Sequence, residues 1–394
     1  MANQLALTIH LTLLFIQAFF LAAPCFPGKA HLLVLCILIL TTATHLVGPV
    51  STYAAETQPY TLLWPIWLAT VEKCVTASST PIEDHYWRVD RPSREASDMT
   101  SFGPRKLKWA CASLCNWRLI RWNRQTKNVP TSTNLRRSNF LIAQLFKFPK
   151  LLLMSDLILQ LNIRLFWTAP DGSAFTDSKR LTIQDPSWLW SFGKALAFGC
   201  GPYFFMNMQY VALSIPTVLV GLGKPVDWPP LFGNIKDATT VRAFWGQFWH
   251  QSIRIPLTTI GDCIIDALGI QRKTILGDYV FIWIAFGISG IMHAQSMALL
   301  PRPANISVLD TTVGIMYFFL WQALAITLED FAQWVWHVEN HGRAESLIGY
   351  VWVVCNMWFS LPWAADVMMR LRLTEESFLG FTFFGPWVHR MPLP

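Results

Sequence analysis

Residues 281–300 read Phe-Ile-Trp-Ile-Ala-Phe-Gly-Ile-Ser-Gly-Ile-Met-His-Ala-Gln-Ser-Met-Ala-Leu-Leu, an apolar run with a histidine, His293, inside it. Asp278 and Arg302 flank the run, which is long enough to cross a hydrocarbon core of about 30 Å as a helix. His293 lies roughly 13 Å from the Arg302 end at helical rise. An ionisable side chain at that depth costs about 2–3 kcal/mol or more. It is kept there for chemistry, or as a neutral imidazole hydrogen-bonded between helices.

The rest of the chain points to the same class. Of its 394 residues, 53% are hydrophobic and only 14% charged, whereas a soluble domain carries about a quarter charged. Twenty tryptophans suit the membrane–water boundary, where such rings gather. Apolar runs at 5–23, 30–50, 191–220, 280–300, 308–328 and 347–363 read as spans, with a shorter one near 60–71. Residues 140–167 are apolar but hold Lys147, Pro149, Lys150, Asp156 and Arg164, and form either one interrupted span or two interfacial helices. The expected fold is all-α: a polytopic transmembrane helical bundle of about seven to nine spans.

The net charge of +7 is concentrated in one stretch. Between residues 104 and 138 stand nine Lys or Arg and no acid. In a lipid-soluble chain this argues against a nucleic-acid partner and for a cytosolic loop facing anionic headgroups. The basic connections place the N-terminus in the lumen. The expected organisation is N-terminal helices over 1–75, a basic cytosolic loop over 76–138 and a membrane-embedded region over 139–394. The first apolar run lacks a basic leader and reads as a retained anchor. Eight scattered cysteines without a CxxC pair give neither a disulfide framework nor a metal centre. His337 and His341 stand four apart but lack the glutamate placement of a zinc peptidase, so they read as surface residues.

A second histidine sits in the patterned segment 227–254. Pro229-Pro230-Leu231-Phe232-Gly233 breaks helix. Beyond it, Gln247, His250, Gln251 and Arg254 fall on one stripe at helical spacing, with Phe244, Trp245, Phe248 and Trp249 opposite. Such a helix either lines a wet cavity in lipid or rests in the interface without chemistry. Ser289, His293 and Ser296 form another stripe, and Gly290 leaves room for close approach.

Together these segments carry a resemblance. Phe244-Trp245-Gly246-Gln247-Phe248-Trp249-His250 resembles the Phe-Trp-Gly-x-x-Trp-His/Asn signature of the wax synthase branch of the membrane-bound O-acyltransferases. Pro229 to Gly233 resembles the Pro-Pro-x-Phe-Gly that precedes it there. Ser289-Gly290-Ile291-Met292-His293 resembles the branch's Ser-Gly-x-x-His, which carries its catalytic histidine. The core motifs span 228–330 and end in Leu328-Glu329-Asp330, similar to an acidic pair of fungal members.

The resemblance implies a multi-pass enzyme of the endoplasmic reticulum with an intramembrane reaction chamber, transferring an acyl group from acyl-CoA to an alcohol. No bound cofactor or metal is expected; acyl-CoA is a co-substrate, and the partners are the bilayer and a hydrophobic alcohol. His293 is the expected base. His250 stands where other branches carry Asn, and is assigned positioning or oxyanion support. Trp245, Trp249, Gln247, Gln251, Arg254, Ser289 and Ser296 are candidate contacts for substrate or CoA. Arg242, Arg254, Arg272 and Lys273 could meet CoA phosphates or simply follow the positive-inside rule. The fungal likeness of residues 322–330 favours acetyl transfer to a terpenoid or meroterpenoid. Long-chain wax-ester synthesis is the alternative. A transporter with a proton-relay histidine is the remoter one, and it would call for more membrane carboxylates than the spans hold.

Overall fold

The computed structural model describes residues 3–77, 80–132, 135–168, 177–336, 343–373, 375 and 380–392. Among these the chain is helical, with no strand; Arg88 and Trp122 form an isolated bridge. Its helices are α1 (Gln4–Ala22), α2 (Lys29–Val47), α3 (Ala54–Thr61), α4 (Trp64–Thr76), α5 (Pro104–Cys115), α6 (Arg137–Phe166), α7 (Trp188–Leu219), α8 (Val241–Ala243), α9 (Arg254–Ala267), α10 (Ile275–Ala298), α11 (Val308–Trp336), α12 (Arg343–Arg370) and α13 (Gly385–Val388). Among the described residues, five stretches are long and apolar enough to cross a membrane: Gln4–Ala22, Lys29–Val47, Ile275–Ala298, Val308–Val335 and Glu345–Arg370. Leu35, Leu38 and Ile39 of α2 point outward, more than half exposed, as lipid-facing side chains do. The helical membrane bundle expected from the sequence is what folds.

The chain forms two units, each built from two stretches of the sequence: Met1–Lys127 with Gln251–Pro301, and Asn128–His250 with Arg302–Pro394. In the first, α1 packs on α2 and α5, α4 on α9, and α9 on α10. Asn3 caps α1 through the Ala6 amide and also reaches the Val47 carbonyl at the end of α2. The short apolar run near 60–71 is broken: α3 stops at Thr61, and Pro65 starts α4 in the first turn, where its missing N–H is harmless. At 13 residues, α4 extends only about 20 Å.

Part of the basic stretch is interior to this unit. Lys106 is buried and pairs with Glu83 at 2.8 Å, and the buried Tyr86 hydroxyl donates to Glu72 at 2.6 Å. Burial and the adjoining Glu72 carboxylate push the Tyr86 phenol well above its ordinary pKa. Trp109, Leu119 and Trp122 join the core of α1, α2 and α4. The window 104–138 lacks acids, but its partners lie upstream, in residues that a local charge count leaves out.

In the second unit, α6 runs antiparallel against α7, and α11 against α12. Residues 140–167 resolve the two options in favour of one helix, continuous through Pro149. Gly314 lets α11 and α12 touch: a Cβ there would lie 2.3 Å from the Trp363 carbonyl oxygen. Asp156 of α6 accepts from the Phe383 and Phe384 amides, and Arg164 donates to the Met391 carbonyl. The C-terminal segment is thereby fastened along α6.

Candidate active site

His293 sits nearly four-fifths of the way along α10, half-buried. Its Nδ1 lies 2.7 Å from the Ser289 carbonyl oxygen, one turn back, and 3.5 Å from the Ser289 hydroxyl. A carbonyl oxygen only accepts, so Nδ1 carries the proton and Nε2 of the neutral ring carries the lone pair. The backbone of α10 therefore selects the tautomer. The Trp64 ring meets the imidazole edge-on, with centroids 5.1 Å apart. Ser296, fully buried, donates to the Thr61 carbonyl at 2.9 Å and ties α10 to α3. Gln251 is buried and accepts from Arg254 at 2.8 Å. All these residues belong to the first unit.

His250, Trp245, Gln247 and Trp249 belong to the second unit, and here the structure corrects the expected helical stripe. The chain leaves α8 into a wider π-helical turn, Phe244–Phe248, in which the Trp249 amide donates to the Phe244 carbonyl five residues back at 2.7 Å. Trp249 is then extended, and helix resumes only at Arg254. Gln247, His250, Gln251 and Arg254 thus do not share one helix face. The cause is the preceding loop. The Gly233 amide donates to the Phe248 carbonyl at 2.8 Å, taking the acceptor that a continuing helix would need. A Cβ on Gly233 would meet the Gln247 carbonyl oxygen at 2.2 Å, so the final glycine of Pro-Pro-Leu-Phe-Gly is required for the approach.

Around this turn the aromatic residues form a compact nest. Phe232 touches the rings of Tyr203, Phe248, Trp249 and His250, and Tyr210 donates to the Pro229 carbonyl at 2.7 Å. Gln247 is exposed. Trp245 donates from its indole to Gln322 at 3.2 Å, and Gln322 in turn meets Asn356 and Ser360 in a buried polar group on α11 and α12.

Glu329, one of the acidic pair, lies within α11 and reaches far upstream in the sequence. Its carboxylate accepts from the Val241 amide (2.7 Å), the Arg242 amide (3.2 Å) and the Trp352 indole (2.8 Å). An anion at the first N–H groups of a helix satisfies donors that the helix itself leaves open. Asp330 pairs with the Arg242 guanidinium beside it. The acidic pair therefore clamps the entry to the aromatic turn. The sequence signal was the pair itself; its target, far upstream, was not legible.

Two of the basic residues considered for CoA phosphates are engaged elsewhere: Arg242 with Asp330, and Arg272 with Asp262 and Asp266. Among the described residues no cluster of His, Cys, Asp or Glu could hold a metal. His337 and His341 lie outside the described residues.

Comparison with known proteins extends the picture. The model of the membrane bound O-acyl transferase family matches residues 228–321, and that of the aspirochlorine biosynthesis protein F C-terminal domain matches residues 136–219. The chain is 42% identical over 222 residues to aspirochlorine biosynthesis protein F of Aspergillus oryzae, covering 56% of this chain and 86% of that protein. It is 28% identical over 269 residues to acetyltransferase sirH of Emericella nidulans, covering 67% of this chain and 60% of that one. It is also 28% identical over 295 residues to acetyltransferase ple2 of Rhodocybe pseudopiperita, covering 72% and 73%. No solved structure matches the chain. Family match and helical membrane fold agree: the chain belongs to the membrane bound O-acyl transferase family and is of the fungal acetyltransferase type.

Proposed function

We propose that this acyltransferase moves an acetyl group from acetyl-CoA to a hydroxyl of a hydrophobic terpenoid or meroterpenoid, in the endoplasmic reticulum membrane, with His293 as general base. The observation that carries the reading is the bond between His293 Nδ1 and the Ser289 carbonyl, which leaves Nε2 as the basic nitrogen. A hydroxyl is a weak nucleophile, and a neutral imidazole within hydrogen-bond reach removes its proton during attack on the thioester. An apolar setting disfavours competing hydrolysis. His250, packed between Phe232 and Trp249, takes the role of positioning substrate. The acetyl donor is supported by the names of the relatives, and the acceptor class by the fungal likeness of residues 322–330.

The test is transfer by microsomes containing the full chain, offered acetyl-CoA or palmitoyl-CoA with a panel of terpenoid alcohols or a fatty alcohol. Acetate esters of terpenoid alcohols are expected. Preference for palmitoyl-CoA and the fatty alcohol would move the reading to wax-ester synthesis.

A further inference from the structure

Trp64 opens α4, and its indole stands at 65° to the His293 ring. A second contact sets the register of this pair. Ser296, three residues beyond His293, donates to the carbonyl of Thr61, three residues before Trp64. The α3–α4 corner thus lies antiparallel along α10, in step with the histidine. Trp64 is only 4% exposed, yet no described residue offers its Nε1–H an acceptor. The buried Trp109 indole does find one, the Tyr86 carbonyl at 3.3 Å. Trp117, Trp122 and Trp167 share the condition of Trp64, but of these four it is Trp64 whose ring meets His293. A buried donor without an acceptor costs free energy that a ligand oxygen recovers on binding.

We propose that Trp64 donates its indole N–H to the carbonyl oxygen of the acyl-CoA thioester and makes that contact a catalytic one. This rests on the reading of His293 as base. As the acceptor oxygen bonds to the carbonyl carbon, its proton passes to His293 Nε2, and the carbonyl π electrons move onto the oxygen facing Trp64. Collapse of the adduct breaks the C–S bond, and the CoA thiolate takes the proton back from the imidazolium. A donor preorganised at the developing oxyanion favours this adduct over the ground state.

The test needs no acceptor alcohol. The purified full chain is titrated with a ketone analogue of acetyl-CoA, in which methylene replaces the sulfur, and with a matched analogue in which methylene also replaces the carbonyl. The parent should bind the ketone about three- to tenfold more tightly, the worth of one hydrogen bond. In Trp64→Phe the preference should vanish, while affinity for the carbonyl-free analogue stays within about twofold of the parent's. Should Trp64→Phe fail to fold, replacement of Trp64 by benzothienylalanine, which lacks only the N–H, reads the same ratio. A preference that survives either replacement, or its absence from the parent, overturns the role of Trp64 and leaves the base untouched. Failure of the parent to bind either analogue overturns the acyl-CoA reading together with it.

Discussion

The two histidine-bearing regions are built in opposite ways. His293 is set by its own helix: one backbone carbonyl, four residues back, selects its tautomer. His250 is set by a scaffold gathered from afar. Gly233 closes the π turn ahead of it, Glu329 clamps its entry, and Phe232 packs on its ring. A local arrangement tolerates change around it. A gathered one transmits every change in its supports, so the two regions should respond differently to substitution.

After His293, the largest effect is expected at Gly233. The atom that a new Cβ would strike is backbone, which cannot rotate away. Gly233→Ala should lower stability by about 1–3 kcal/mol, read as thermal unfolding in detergent, and acyl transfer should fall with it. Unchanged melting would mean that the loop does not brace the turn. Glu329→Gln keeps the size but loses one of two acceptor oxygens serving three donors. A cost of about 1–2 kcal/mol is expected, seen as roughly tenfold lower kcat with expression maintained; a wild-type rate would dissolve the clamp. The smallest effect is expected at Ser289. Its hydroxyl lies 3.5 Å from His293 and its carbonyl does the orienting, so Ser289→Ala should stay within about threefold of the parent, less than one ordinary hydrogen bond. A large loss there would assign the hydroxyl to substrate and make the two regions more alike.

The same contrast explains what could be read in advance. Hydropathy placed α10 within a few residues, 280–300 against Ile275–Ala298, because a lipid-facing helix carries its signal in each residue. The Ser-Gly-Ile-Met-His segment was legible for the same reason: the partner of His293 is on the same turn. The stripe through Gln247 and Arg254 failed because the Phe248 carbonyl is claimed by Gly233, a contact that no periodicity encodes. The basic window looked unpaired because Glu83, the partner of Lys106, lies outside it. Trp64 drew no notice in a run whose aromatic residues all suit a membrane boundary. Only the fold, through Ser296 and Thr61, brings its ring to the histidine.

The most direct measurement is the turnover of His293→Ala beside the parent, in membranes matched for protein, with acetyl-CoA and an alcohol that the parent acetylates. With His293 as the base, kcat should fall by about 10²–10⁴-fold, while Km for acetyl-CoA changes little. Turnover equal to the parent would contradict it.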